Sequence, residues 1–206
     1  MRQLLLSLFV ATIAVSCGPR YVDYFPRHDD GSSKPAVALL PVRDSTQSCL
    51  PKPAGEHIFQ VLQYESMSKG NLYILAPEEL REGNPKIKEI GFYSDETTLA
   101  QDFCSADFVV ILELFEQEFS SYGKARPPIN NCVVAYPCEA LLTLKMRVKI
   151  VDVRPRSPRV VLQEVYTQGY YLPYPLEKDS EPLVKAYHRF ACSLENRLEE
   201  VICSAY

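Results

Sequence analysis

The strongest constraint on the fold is the alternation of Leu142, Leu144, Met146, Val148 and Ile150 with Thr143, Lys145, Arg147 and Lys149. A period of two sends the aliphatic side chains to one side of an extended chain and the cations to the other. This is the pattern of an antiparallel strand with one buried and one wet face. Val160 to Tyr171 is its expected hairpin partner across the turn Arg154-Pro-Arg-Ser-Pro158. Two other segments, Ala36 to Val42 and Asp107 to Phe115, are nearly continuous apolar runs, as expected of strands covered on both sides.

Helical spacing fills the intervals. Ala54 to Ser68 carries Ile58, Val61 and Leu62 at helical spacing and stops at Lys69-Gly70. Leu72 to Leu75 is a short strand, and residues 81–105 are helical in part, best over Thr98 to Phe103. A last helix runs from about Glu181 to Cys203, its stripe made of Leu183, Tyr187, Phe190, Leu194, Leu198 and Val201. The order β-α-β-α-β-β-β-α predicts an α/β (α+β) domain: a two-layer mixed sheet, helices mainly on one face and basic side chains on the other.

Composition narrows the function. A hydrophobic fraction of 47% is enough for a core, and a formal charge of −4 argues against a nucleic-acid partner. With three histidines and eight glycines there is little material for a metal cage or phosphate cradle, and no cofactor is expected beyond a covalent lipid. No hydrolase, zincin, Walker or dinucleotide-binding motif occurs. Acidic pairs such as Glu78-Glu79 and Glu199-Glu200 are sequence neighbours whose side chains splay, and His28, His57 and His188 read as solvated. The expectation is a protein that is not an enzyme.

The N-terminus sets the address. Arg2 precedes a short apolar run, Leu4 to Val15, too short to span a bilayer and matched to a signal-peptide core. It ends in Ala14-Val15-Ser16-Cys17-Gly18, which resembles the lipobox of bacterial lipoproteins, although Ala14 stands where leucine is usual. The resemblance implies cleavage of residues 1–16, lipidation of Cys17 and an acyl anchor in the membrane. Gly18, where an inner-membrane retention signal would have aspartate, implies the outer membrane of a cell envelope. Residues 17–35, rich in Pro, Gly, Ser and Asp, read as a flexible tether that spans about 60 Å at full stretch. Residues 36–206 read as one globular envelope domain.

That domain resembles the group of the TolB N-terminal domain, the curli-assembly lipoprotein and the penicillin-binding-protein activator. The resemblance is carried by Val37 to Val42 before a helix, Ala106 to Ile111, and the paired strands 142–153 and 160–168. These are hydrophobic patterns rather than functional signatures. A short cysteine-rich lipoprotein of this kind is also similar to a chlamydial envelope lipoprotein.

Besides Cys17 there are Cys49, Cys104, Cys132, Cys138, Cys192 and Cys203, an even number that favours disulfides in an exported chain. Cys192 and Cys203 stand about 16 Å apart along one helix and cannot bond each other. Both point away from the apolar stripe. Either another segment covers that face and bonds them, the long insertion Gly123–Glu139 being the natural one, or they cross-link chains; Cys132 and Cys138 could also close their own loop. The candidate surfaces for a protein or cell-wall partner are Tyr170, Tyr171 and Tyr174, interleaved with proline, and the stripe Lys145, Arg147 and Lys149. The tyrosines could equally pack under the final helix. The expected role is a lipid-anchored docking protein; the alternative is a structural envelope component cross-linked through exposed cysteines.

Overall fold

A computed structural model of the 206-residue chain describes residues 25–46, 54–76, 90–122, 138–174 and 181–206. The elements are β1 (Ala36–Leu39), β2 (Arg43–Asp44), α1 (Ala54–Lys69), β3 (Tyr73–Ile74), α2 (Glu96–Asp102), β4 (Phe108–Tyr122), β5 (Cys138–Asp152), β6 (Arg159–Tyr174) and α3 (Glu181–Ala205). They make one six-stranded mixed sheet in the order β3-β1-β4-β5-β6, with β2 also paired to β4. The strands β1, β2 and β3 run parallel to their neighbours, whereas β4, β5 and β6 form a long antiparallel meander. The expected two-layer α+β fold is what forms.

Both kinds of hydrophobic pattern have their physical reason in the layers. The alternate residues Leu142 to Ile150 of β5 join Ile58 and Leu62 of α1 and Phe190 and Leu194 of α3 in the main core. On the opposite side of the sheet, Ala38, Leu40, Val109 and Ile111 meet Leu99 and Phe103 from α2 and the residue after it. β1 and β4 are therefore covered twice where they run side by side, which is why their sequences do not alternate there. The wet face begins only where α2 ends its cover.

Three boundaries differ from the sequence reading. The run Ala36–Val42 is broken at Pro41, and the chain returns to the sheet as the two-residue β2. β5 starts at Cys138, so the insertion expected over Gly123–Glu139 loses its last two residues to the sheet; the rest of it lies outside the described residues. Part of the expected tether is folded: Arg27 bridges to Ser33, and Asp30 Oδ1 accepts from the Ser32 backbone N–H at 2.9 Å and its hydroxyl at 2.6 Å. Gly31 sits at φ +84° in this turn, a conformation that only glycine adopts without strain.

The end of α3 is tied to the β5–β6 turn through Asp152, whose side chain is 1% exposed. Its carboxylate accepts from Arg154 Nε and Nη2, both at 2.9 Å, and from Arg159 Nη2 at 3.1 Å. Arg154 stacks 4.7 Å from the Phe108 ring centroid and donates to the carbonyls of Ala205 and Tyr206, closing the helix C-terminus. These bonds from Arg154 hold the Asp152 carboxyl below its ordinary 3.8, against the opposing effect of burial. A lowered folded-state value stabilises above the unfolded value and is lost as pH falls through the folded one. Asp152→Asn is therefore expected to lower stability by about 1–3 kcal/mol at pH 7, a gap that closes below about pH 4. Urea unfolding at several pH values reads it.

Candidate functional site

The basic stripe is not a cationic surface. Arg147 lies opposite Glu113 in the β4–β5 register and Lys145 opposite Glu116, the step between them made by a bulge at Phe115. Arg147 Nη1 reaches Glu113 Oε2 at 3.0 Å and Lys145 Nζ reaches Glu116 Oε1 at 2.6 Å. Lys149, only 5% exposed, donates to the Ser94 carbonyl at 3.1 Å and to Glu96 Oε1 at 2.5 Å. That hydrogen bond draws the Glu96 carboxyl below its ordinary value. Arg147 also lies 4.6 Å from the Phe115 ring centroid. Each cation of the stripe is matched by a carboxylate of the same fold.

The tyrosine segment divides its residues between the two roles open to it. Tyr170 faces α3 from β6, beside Leu142 in register, and burial pushes its hydroxyl up to about 12. Tyr166, four residues earlier on the same face, sets its ring edge-on to Phe190 and its hydroxyl 2.6 Å from Ser193 Oγ. Tyr171 points the other way and is 72% exposed. The backbone of Tyr174 pairs with Cys138, and its side chain lies outside the described residues.

Where the end of β6 meets the start of α3, a groove of about 500 Å³ opens, lined from β6 by Tyr170 and the strand backbone at Tyr171 and from α3 by Lys185 and Arg189. Lys185 is held by Glu181 at 2.5 Å across one helical turn, and Arg189 is exposed. Pro182, in the first turn of α3, removes one of the N–H groups that lack an intrahelical partner there. The groove sets Tyr170 near the Arg189 guanidinium, and tyrosine and arginine are the side-chain types enriched where binding energy concentrates at protein interfaces.

Among the described residues Cys104, Cys192 and Cys203 carry free thiols; Cys17, Cys49 and Cys132 lie outside them, as does the side chain of Cys138. On the face of α3 holding Cys192 and Cys203, α1 packs beside Cys192, whereas Cys203 is exposed, and neither thiol forms a disulfide. Lys69 at the end of α1 donates to Glu195, to Asn196 at 2.6 Å and to Glu199 at 3.0 Å. Burial, and then neighbouring glutamates, push both thiols up.

Two histidines read as solvated are in contact with the fold. His57 packs near Tyr187, ring centroids 6.2 Å apart, and His188 Nδ1 lies 3.2 Å from Cys192 Sγ. The spacing of 188 and 192, one helical turn, was visible in sequence; what faces the pair was not.

A model of a family of unknown function, DUF7499, matches residues 24–206. The chain belongs to that family. The matched residues include the Arg27–Ser33 turn as well as everything from β1 onward. No curated protein matches the chain by sequence. In structure this DUF7499 chain is similar to the hypothetical protein CT253 from Chlamydia trachomatis, at a TM-score of 0.60 and 17% identity over 84% of this chain and 99% of that one. That likeness is one of fold. Lipoprotein GNA1162 from Neisseria meningitidis aligns at a TM-score of 0.44 and 12% identity, over 81% of this chain and 99% of that one. A minor lipoprotein from Acinetobacter baumannii aligns at 0.36 and 11%, over 82% and 91%. Both superpose too loosely for anything to be carried over from them.

Proposed function

We propose that this chain is a lipid-anchored, non-catalytic protein of the bacterial envelope that docks a protein or cell-wall-associated partner through the groove between β6 and α3. The anchor rests on the Val15-Ser16-Cys17-Gly18 junction behind a short apolar run, and Gly18 favours the outer membrane. No helix among the described residues is long and apolar enough to cross a membrane, in keeping with attachment by acyl chains. Burial and the neighbouring glutamates push the Cys192 thiol up, which disfavours that residue as a nucleophile.

The observation that carries docking is Tyr171. A large aromatic side chain 72% exposed on the strand that borders the groove leaves apolar area in water that a partner reaching over the end of β6 would bury. A photoreactive benzoylphenylalanine at position 171 is expected to trap one discrete adduct in intact envelopes, and Arg189→Ala to reduce it. The same probe at Gln163, exposed on the same side of β6 but eight residues from Tyr171 and away from the groove, should not trap it. An adduct shared by both positions, or none at 171, overturns the groove as the docking site.

The alternative, a structural component cross-linked through cysteines, is favoured by the exposed free thiols of Cys104 and Cys203. It requires ladders on non-reducing electrophoresis that collapse with reductant.

A further inference from the structure

His188 and Cys192 are separated by one turn of α3 and so project from the same face of the helix. Glu65, one turn before the end of α1, faces them across the seam between the two helices. Its Oε1 lies 3.9 Å from His188 Nε2, while His188 Nδ1 lies 3.2 Å from Cys192 Sγ. One ligand atom from each residue falls within 4.8 Å of the other two. We propose that Glu65, His188 and Cys192 form a binding site for a borderline divalent cation of the zinc type, which would clasp α1 to α3.

The donor set selects the ion. A thiolate and an imidazole beside one carboxylate suit zinc and its late first-row neighbours, and suit magnesium or calcium poorly. Bonds of about 2.0–2.3 Å place adjacent ligand atoms of a tetrahedral zinc about 3.4–3.6 Å apart. The cluster is therefore about 1 Å too open, a gap that rotation of the 53%-exposed His188 side chain can close. A neutral imidazole with two anionic ligands balances the ion's two charges.

The surroundings favour a cation as well. Glu195 and Glu199 stand on the same flank of α3, and their shared counter-ion, Lys69, is already engaged by both. Three protein ligands leave a fourth position towards solvent, open to water or to a side chain of a partner. A thiol hydrogen-bonded to its imidazole neighbour is the ordinary alternative use of the same pair, and metal binding separates the two.

The test uses the reduced mature chain with cobalt(II) as the spectroscopic probe, followed by displacement with zinc. The expected result is one equivalent of cobalt showing sulfur-to-metal charge transfer and tetrahedral d–d bands, both lost on adding one equivalent of zinc. Cys192→Ser should abolish the charge-transfer band. His188→Ala and Glu65→Gln should each weaken binding about tenfold or more, corresponding to 1.4 kcal/mol or more. Cys203→Ser and Cys104→Ser should leave spectrum and affinity unchanged. Circular dichroism of each metal-free variant separates lost ligation from lost folding. A band that survives in Cys192→Ser, a band that disappears in Cys203→Ser, or failure to bind cobalt at micromolar concentration overturns the assignment.

Discussion

Lys69→Met is expected to lower the stability of the domain by about 2–4 kcal/mol at pH 7, more than any surface ion pair would account for. Glu195, on the α3 side of the seam, is 1% exposed, and Lys69 is the cation that reaches it. The same ammonium binds Asn196 and Glu199, and Glu199 accepts from Asn71, so one lysine organises four groups at the junction of α1, β3 and α3. Burial already pushes the Glu195 carboxyl up against the pull of Lys69. Methionine keeps the aliphatic stem and removes the charge, leaving a buried carboxylate that must bind a proton or stay unpaired. A group raised in the folded state favours folding at low pH and loses that contribution as pH rises, so the deficit of Lys69→Met should shrink from pH 7 to pH 5. The double variant Lys69→Met/Glu195→Leu should regain most of the loss, because a buried pair replaced by apolar side chains is close to neutral. Urea unfolding of the three proteins reads the effect. A deficit below about 0.5 kcal/mol would show that the cluster is a surface arrangement.

Much of the architecture was legible because the layers impose different periods on the chain. β5 alternates since one side of it meets α1 and α3 and the other is partly wet, and α3 shows its stripe since only one flank enters the core. The continuous runs in β1 and β4 announced cover on both faces. What escaped was short or cooperative. β2 is two residues long after a proline, with no periodicity of its own, and pairs with Glu113 and Leu114. The start of α2 did carry a signal, Asp95, whose carboxylate accepts from the Thr98 N–H at 3.0 Å as an N-cap.

The surfaces were less legible than the fold. The cations of β5 were visible in sequence, but their neutralisation depends on the β4 register and on an extra residue at Phe115, which local pattern does not reveal. Tyr170 and Tyr171 differ only in parity, and parity becomes burial only once α3 is known to lie over β6. For the same reason His188 looked solitary: its neighbour Glu65 is 123 positions away and is brought near by packing of two helices.

The account rests on attachment through Cys17, and there the expected change is largest. At about 0.8 kcal/mol per buried methylene, two or three acyl chains hold a domain of this size on a membrane, and their loss releases it. Cys17→Ala should move the protein from the membrane pellet to the soluble fraction while leaving the folded domain unchanged. The most direct measurement is the mass of the N-terminal peptide from the wild-type protein in washed bacterial membranes. The account predicts a mature chain beginning at Cys17 and carrying a diacylglyceryl group on its sulfur. An unmodified Cys17, or a mature chain that begins at another residue and still sediments with the membrane, would contradict it.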